Sequence, residues 1–274
     1  MDTEVIKANI NVHSKMADTY EKLEPHFKNE NKEKVKDVII KLAKRFGNSR
    51  LLDIGCGTGF IISLAKDVFN HIDGVDVTQA MMDKVDLSNG NITLHRSAAE
   101  KVPFDDETFD MVSAYSFIHH VEDYKPVLSE VFRVLKPGGG VYIDLEPNRG
   151  FWDLMTSIGN QKRIDFSPIL NKAIDSVIST DEKVEQDFGI PKSTFQKAEF
   201  GKSIMGGIDA VELEKQAKVI GFKKIEISFE WFLGQGDVMH GRSFQDADTV
   251  EWFLRQLSPI SDKFFKYIKC ILVK

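Results

Sequence analysis

Leu51-Leu52-Asp53-Ile54-Gly55-Cys56-Gly57-Thr58-Gly59-Phe60 is the stretch whose reading decides the fold. From Leu51 to Ile54 only Asp53 is polar, the pattern of a strand buried on both faces. Glycines at 55, 57 and 59 follow at once, and then Phe60, Ile61, Leu64, Ala65 and Val68 recur at helical spacing. A strand, a glycine turn and a helix in this order open a nucleotide-binding βαβ unit. The glycines allow the positive φ of a tight turn and remove the Cβ atoms that hold a ligand away from the backbone.

Outward from the turn, Ile72-Asp73-Gly74-Val75-Asp76 reads as the next strand, ending on an acid seventeen positions after Gly59. A carboxylate there can accept hydrogen bonds from both hydroxyls of an adenosine ribose. Its plainer use is as a cap for a helix from Gln79 onward, a task Thr78 serves equally well. The spacing Gly55-x-Gly57-x-Gly59 departs from the G-x-G-x-x-G of dinucleotide folds. Asp53 at the mouth of the turn opposes a pyrophosphate and suits a ligand carrying an ammonium group.

The remaining motifs follow in order. Ile92 to Arg96 alternates as a strand, and Ser97-Ala98-Ala99-Glu100-Lys101-Val102-Pro103-Phe104 comes after it. Met111-Val112-Ser113-Ala114-Tyr115-Ser116 is the strand expected beside the first. An amphipathic helix over Tyr124–Leu135, burying Val127, Leu128, Val131, Phe132 and Leu135, is expected to stop at Lys136-Pro137-Gly138-Gly139-Gly140. Val141 to Leu145 is the strand after that.

From Leu51 to about Asp144 the chain resembles the class I S-adenosylmethionine-dependent methyltransferases, in particular the type 11 subgroup. The glycine turn, Asp76, the Pro103-Phe104 pair and Arg133-Val134-Leu135-Lys136-Pro137-Gly138-Gly139 carry the resemblance. It implies an α/β fold, a Rossmann-like seven-stranded, mostly parallel sheet with an antiparallel terminal strand pair. It also implies S-adenosyl-L-methionine as methyl donor, with S-adenosyl-L-homocysteine as product. Carried over residue by residue, the cofactor contacts are Tyr20, Asp53, Gly55, Cys56, Gly57, Gly59, Asp76, Val77, Ala98, Ala99, Tyr115 and Ser116. Ala98 stands where family members typically carry an acid that accepts from the adenine amino group, so backbone groups of Ala98 and Ala99, or Ser97, must substitute.

For catalysis, His119, His120 and Glu146 fall at the methyl end of that site. Each has a plain alternative: a helix-start or packing role for the histidines, and for Glu146 a capping carboxylate paired with Arg149. No metal-ligand set is expected. The chain divides into an N-terminal cap (1–30, with His13 and Tyr20 near its end), a cofactor-binding core (31–148), a helical lid insertion (149–207) and the C-terminal part of the core (208–274). The insertion is rich in large apolar residues such as Phe151, Trp152, Met155, Phe195 and Phe200. Within the last part, a helix over Ile208–Gly221 is expected to bury Val211, Leu213, Ala217 and Ile220.

Composition excludes several partners. The 274 residues are 42% hydrophobic and 28% charged, with a net charge of −6 and no long basic cluster, which argues against a nucleic-acid partner. The two cysteines, one inside the glycine turn, do not read as a disulfide, and the charged first residues do not read as a signal peptide. No apolar run approaches a membrane span, so the expectation is a cytoplasmic protein; its oligomeric state is not legible. The base-methylating Asn/Asp-Pro-Pro-aromatic tetrapeptide is missing after Ser116. The expected activity is therefore methyl transfer to a small organic acceptor with apolar bulk, at oxygen, nitrogen or carbon. A protein or RNA methyltransferase, or a non-catalytic cofactor-binding module, are the alternatives.

Overall fold

Period-2 and period-3.6 stretches alternate through residues 50–147, and the chain folds them into a parallel sheet covered by helices. The computed structural model of the protein describes residues 3–160, 165–178 and 180–274. In chain order the elements are α1 (Glu4–Met16), α2 (Tyr20–Leu23), α3 (Asn29–Phe46), β1 (Arg50–Ile54), α4 (Phe60–Ala65), β2 (His71–Asp76), α5 (Gln79–Met82), β3 (Ile92–Arg96), β4 (Phe109–Tyr115), α6 (Tyr124–Val134) and β5 (Leu135–Pro147). They continue with α7 (Arg149–Gly159), α8 (Pro168–Ile178), α9 (Thr180–Phe188), α10 (Lys192–Ala198), α11 (Ala210–Ile220), β6 (Lys224–Phe232), α12 (Gln235–Gly241), α13 (Phe244–Gln256) and β7 (Phe265–Val273).

The sheet order is β3-β2-β1-β4-β5-β7-β6. Strands β1 to β5 pair in parallel, while β7 lies antiparallel between β5 and β6. The antiparallel pair at the end of the chain is thus present, with β6 rather than β7 on the edge. The order reverses between β1 and β4, and in open α/β sheets ligands sit outside the carboxyl ends of the strands at such a switch point.

Two apolar clusters close the faces of the sheet. One gathers Leu52, Ile54, Val112, Val131, Leu213 and Ala217 under α6 and α11; the other gathers Ile39, Leu51, Phe60, Ile62, Ile72 and Met111 under α3 and α4. Helix α11 starts on Asp209, whose carboxylate accepts from the backbone of Val211 and Glu212. Val211 was expected inside and is 76% exposed. It sits two residues, about 200° of helix, from buried Leu213 and so faces water. The Lys136–Gly140 stretch also differs from expectation, since β5 begins at Leu135 and runs straight through the glycines. There the ring of Phe46 covers Gly140, where a Cβ would meet it at 2.2 Å. Phe132 is only half-buried, packed against Gly221 and Phe222.

The segment between β5 and α11 contains two separate apolar clusters. Phe151, Trp152 and Met155 of α7 meet Ile174 of α8, whereas Ile190, Phe195 and Ala198 around α10 meet Ala8, Val12 and Met16 of α1. The second cluster holds α1 over the carboxyl ends of the strands, and Asn9 Nδ2 adds a 2.9 Å hydrogen bond to the carbonyl of His120.

Candidate active site

A cavity of about 360 Å³ opens beyond the carboxyl ends of β1, β2 and β4, roofed by α1 and the residues that follow it. Its floor is the glycine turn. Gly55, Gly57 and Gly59 have φ of 68°, 52° and 88°. At Gly55 a Cβ would lie 2.0 Å from the ring of Phe117, so both the conformation and the space demand glycine. The amides of Gly55 and Cys56 donate to the carbonyl of Val75 at 2.8 and 3.0 Å and anchor the turn to β2.

Asp76 ends β2 at the cavity wall. Its Oδ2 accepts from the Gly57 amide at 2.9 Å and its Oδ1 from the Thr78 amide at 2.7 Å, which fixes the carboxylate plane. Each oxygen keeps a further lone pair for a ligand. Asp53 is 2% exposed and accepts from Ser113 Oγ at 2.7 Å. Burial pushes its carboxyl up to about 7, with the Ser113 hydrogen bond pulling the other way and Asp76 adding to the rise. A cation delivered to this pocket would therefore meet a carboxylate short of counter-charge. Thr58 Oγ1 is also buried here with no partner of its own.

The other expected cofactor residues gather around the same space. Tyr20, Cys56, Val77, Ala98, Ala99, Tyr115 and Ser116 all line it, with Met81 beside them. Met82 instead packs in the core against α4. Gly59 stands apart, as the left-handed residue that starts α4 rather than a lining residue. Ser97 Oγ donates to the carbonyls of Lys101 and Ala98 at 3.0 and 3.2 Å, so toward a ligand it offers only acceptor lone pairs, beside the backbone and Glu100 at that end. Burial holds the Cys56 thiol well above its usual range, so it is no nucleophile. Cys270 is likewise buried and free. Burial also raises the Tyr20 phenol, whose ring stands edge-on to His13, His26 and Phe27.

The three candidate catalytic side chains separate. Glu146 is fully buried; its Oε1 accepts from the amides of Phe117 and Ile118 at 2.7 and 2.9 Å, and its Oε2 from the amide of His119 at 3.1 Å and from His119 Nδ1 at 2.8 Å. Four donors on one carboxylate leave it no reach into the cavity, and neither it nor His119 lines it. The partnership expected with Arg149 is not formed: Arg149 bonds the carbonyl of Met205 at 3.2 Å and stands 3.7 Å from Asp209. Burial works against protonation of His119, but the Glu146 carboxylate outweighs it and the net shift is upward. His120 does line the cavity; its Nδ1 donates to the carbonyl of Ala198 at 2.8 Å, and burial, with His119 and His13 nearby, pushes it well below the usual imidazole range. His119, His120 and Glu199 lie within 4.8 Å of one another, yet the cation beside Glu199 is Lys202, 3.1 Å away. That half-buried ammonium already supplies the countercharge a metal ion would bring.

A second cavity, of about 720 Å³, adjoins the first over the carboxyl end of β5 and the facing end of β6. Described residues of α7 and α8, Phe151, Ile169 and Ala173 among them, line it, whereas none from this segment lines the first. His26 lines both cavities; with Pro25 and Phe27 it forms a short 3₁₀ turn between α2 and α3. Sequence reasoning passed over it. Its only signal was a Pro-His-Phe run just before a helix.

Comparison with known proteins agrees with this geometry. Residues 52–143 match the family model described as a methyltransferase domain. A demethylmenaquinone methyltransferase of Staphylococcus haemolyticus is 30% identical over 201 residues, 67% of this chain and 81% of that protein. One of Chlorobaculum parvum is 38% identical over 99 residues, 36% of this chain and 41% of the relative. Several of the matched relatives are thus aligned over only about two-fifths of their length. Among solved structures, the YcgJ protein of Bacillus subtilis superposes with a TM-score of 0.54 at 17% identity, covering 88% of this chain and 98% of that one. A SAM-dependent methyltransferase of Archaeoglobus fulgidus gives 0.53 at 18% identity, covering 89% and 94%. A glycine turn at the switch point, an acid closing β2 and this sheet order define a class: the chain belongs to the class I S-adenosylmethionine-dependent methyltransferases.

Proposed function

We propose that the protein transfers the methyl group of S-adenosyl-L-methionine to a small organic acceptor by in-line displacement. The observation that carries this is the polar lining of the 360 Å³ cavity. It combines a carboxylate held by two backbone amides (Asp76), a buried carboxylate without a countercharge (Asp53) and an orphaned hydroxyl (Thr58) around a turn bare of side chains. Asp76 would hold the ribose hydroxyls, and Asp53 and Thr58 the amino-acid end. Met81, Val77, Ala98 and Ala99 would enclose the adenine, with Tyr20 and Ser116 completing the wall. The bound donor supplies an activated methyl group on a sulfonium. The protein supplies alignment of the acceptor with that group and exclusion of water.

On this reading residues 1–30 are the cap over the cofactor, 31–148 and 208–274 the core, and 149–207 the wall and lid of the acceptor space. His119 and Glu146 brace the turn after β4, and of the three candidates His120 alone faces the reaction space. The relatives named for demethylmenaquinone support an acceptor with an apolar body, as do the apolar walls of the second cavity. No helix among the described residues is long and apolar enough to cross a membrane, in keeping with a cytoplasmic enzyme. Calorimetry is the test: S-adenosylhomocysteine should bind in the micromolar range and NAD should not. Binding of NAD in its place would return the chain to the dinucleotide-binding proteins.

A further inference from the structure

We propose that the 720 Å³ cavity is the acceptor chamber, and that His26 at its junction with the cofactor cavity takes the proton of a hydroxyl-bearing aromatic acceptor as its oxygen is methylated. This rests on the methyl-transfer reading above. Among the described residues His26 alone lines both cavities, so its ring forms the wall where the larger chamber meets the smaller one. His26 is 5% exposed, and its Nδ1 is buried without a hydrogen-bond partner. Native proteins rarely leave such an atom orphaned, and a catalytic role is one of the explanations for those that do.

The ring is also held in place. Asn31 Nδ2 donates to the carbonyl of His26 at 2.9 Å and to the Tyr115 hydroxyl at 3.0 Å, tying the 25–27 turn to the end of β4. Phe27, Phe60 and Tyr115 surround the imidazole with ring centroids 4.6, 5.0 and 5.7 Å away. Burial lowers its pKa to about 4, so at neutral pH the ring is uncharged and one nitrogen offers a lone pair. The Glu24 carboxylate, whose pKa burial and Glu199 raise, also lines the chamber and stands 3.6 Å from Nδ1.

The chamber itself selects the acceptor. Phe151, Ile169, Trp231, Phe232 and Leu233 make an apolar, largely aromatic wall, and the Lys172–Asp237 pair stands at its edge. Leu145 and Trp231, both lining residues, have φ of 60°, and Ser116 in the smaller cavity has 53°. A left-handed conformation is unusual for a branched or bulky residue and gathers where a site imposes it.

In the step itself, the acceptor oxygen forms a bond to the methyl carbon as the carbon–sulfur bond breaks. Sulfur keeps that electron pair and becomes a neutral thioether. The hydroxyl proton, made strongly acidic as the oxygen is alkylated, passes to His26. The positive charge thus moves from sulfonium to imidazolium beside Glu24, and the proton then leaves to solvent.

The experiment uses full-length protein saturated with S-adenosylhomocysteine, with 2-naphthol and 2-methoxynaphthalene as probes. Calorimetry should show 2-naphthol binding at least tenfold tighter than the ether. A ring ¹⁵N resonance of labelled His26 should move on adding 2-naphthol and stay put with the ether. His26→Phe should erase the discrimination between the probes, and Ala173→Phe should block both. With labelled S-adenosylmethionine, methylation of 2-naphthol should fall at least 100-fold in His26→Phe. Equal binding of the two probes, a silent His26 resonance, or unchanged 2-naphthol binding in Ala173→Phe would overturn this inference alone. The first two readouts need no variant, so a His26→Phe chain that fails to fold leaves the inference open to refutation. Failure of S-adenosylhomocysteine itself to bind would overturn both this inference and the methyl-transfer reading.

Discussion

The two cavities share one rim of the sheet and are built in opposite ways. The smaller is made around backbone: a turn with three left-handed glycines, amides fixed on Asp76, and strand ends whose register sets every position. The larger is made of side chains that converge from five separate segments, around Glu24, Leu145, Ile169, Trp231 and Lys266. On the proposed reading, a donor common to many reactions meets backbone, and an acceptor particular to one reaction meets side chains.

If that contrast is right, the largest effect comes from the fixed half. Asp76→Ala removes a charged acceptor of two hydroxyls, about 2–3 kcal/mol, and should weaken S-adenosylhomocysteine roughly 30- to 150-fold by calorimetry. Next comes Gly55→Ala, which places a methyl group 2.0 Å from the Phe117 ring at a φ of 68°. Urea melts should show a loss of about 2 kcal/mol or more, with cofactor affinity falling in step. Substitution of Ile169, a 43% exposed residue of the larger chamber, should change neither quantity appreciably.

A smaller effect sharpens the comparison through pH. Asp53 is ionised above about 7 in the free protein. A bound ammonium favours the ionised form, so binding below that pH must first release the proton. Affinity for S-adenosylhomocysteine should therefore be level above pH 7 and fall by up to tenfold per unit below it. Asp53→Asn should abolish that slope. The His119–Glu146 pair gives the opposite sign in stability. The folded pKa of His119 is raised, so its contribution is complete below the ordinary imidazole value and is lost as pH rises through the folded one. The gap in thermal stability between wild type and Glu146→Gln should accordingly narrow toward alkaline pH.

The same contrast explains what the sequence disclosed. Gly55, Gly57, Gly59, Asp76 and the strands around them were legible because backbone geometry dictates residue type locally, within about twenty-five positions. The sheet and its antiparallel last strands followed from the family resemblance that those motifs carry. Glu146 misled because a carboxylate at the rim of the sheet reads as reactive until its four backbone and imidazole donors are seen. His26 was invisible because nothing adjacent in the chain marks it; its partners Asn31, Phe60 and Tyr115 lie 5, 34 and 89 positions away. The length of α1 and its support by α10 were missed for the same reason, since Ala8 and Phe195 meet only in the folded chain.

The most direct measurement is a crystal structure of the S-adenosylhomocysteine complex. The account predicts the ribose on Asp76, the amino group at Asp53, and the sulfur turned toward His26 and the larger chamber. A nucleoside bound elsewhere, or a sulfur facing away from that junction, would contradict it.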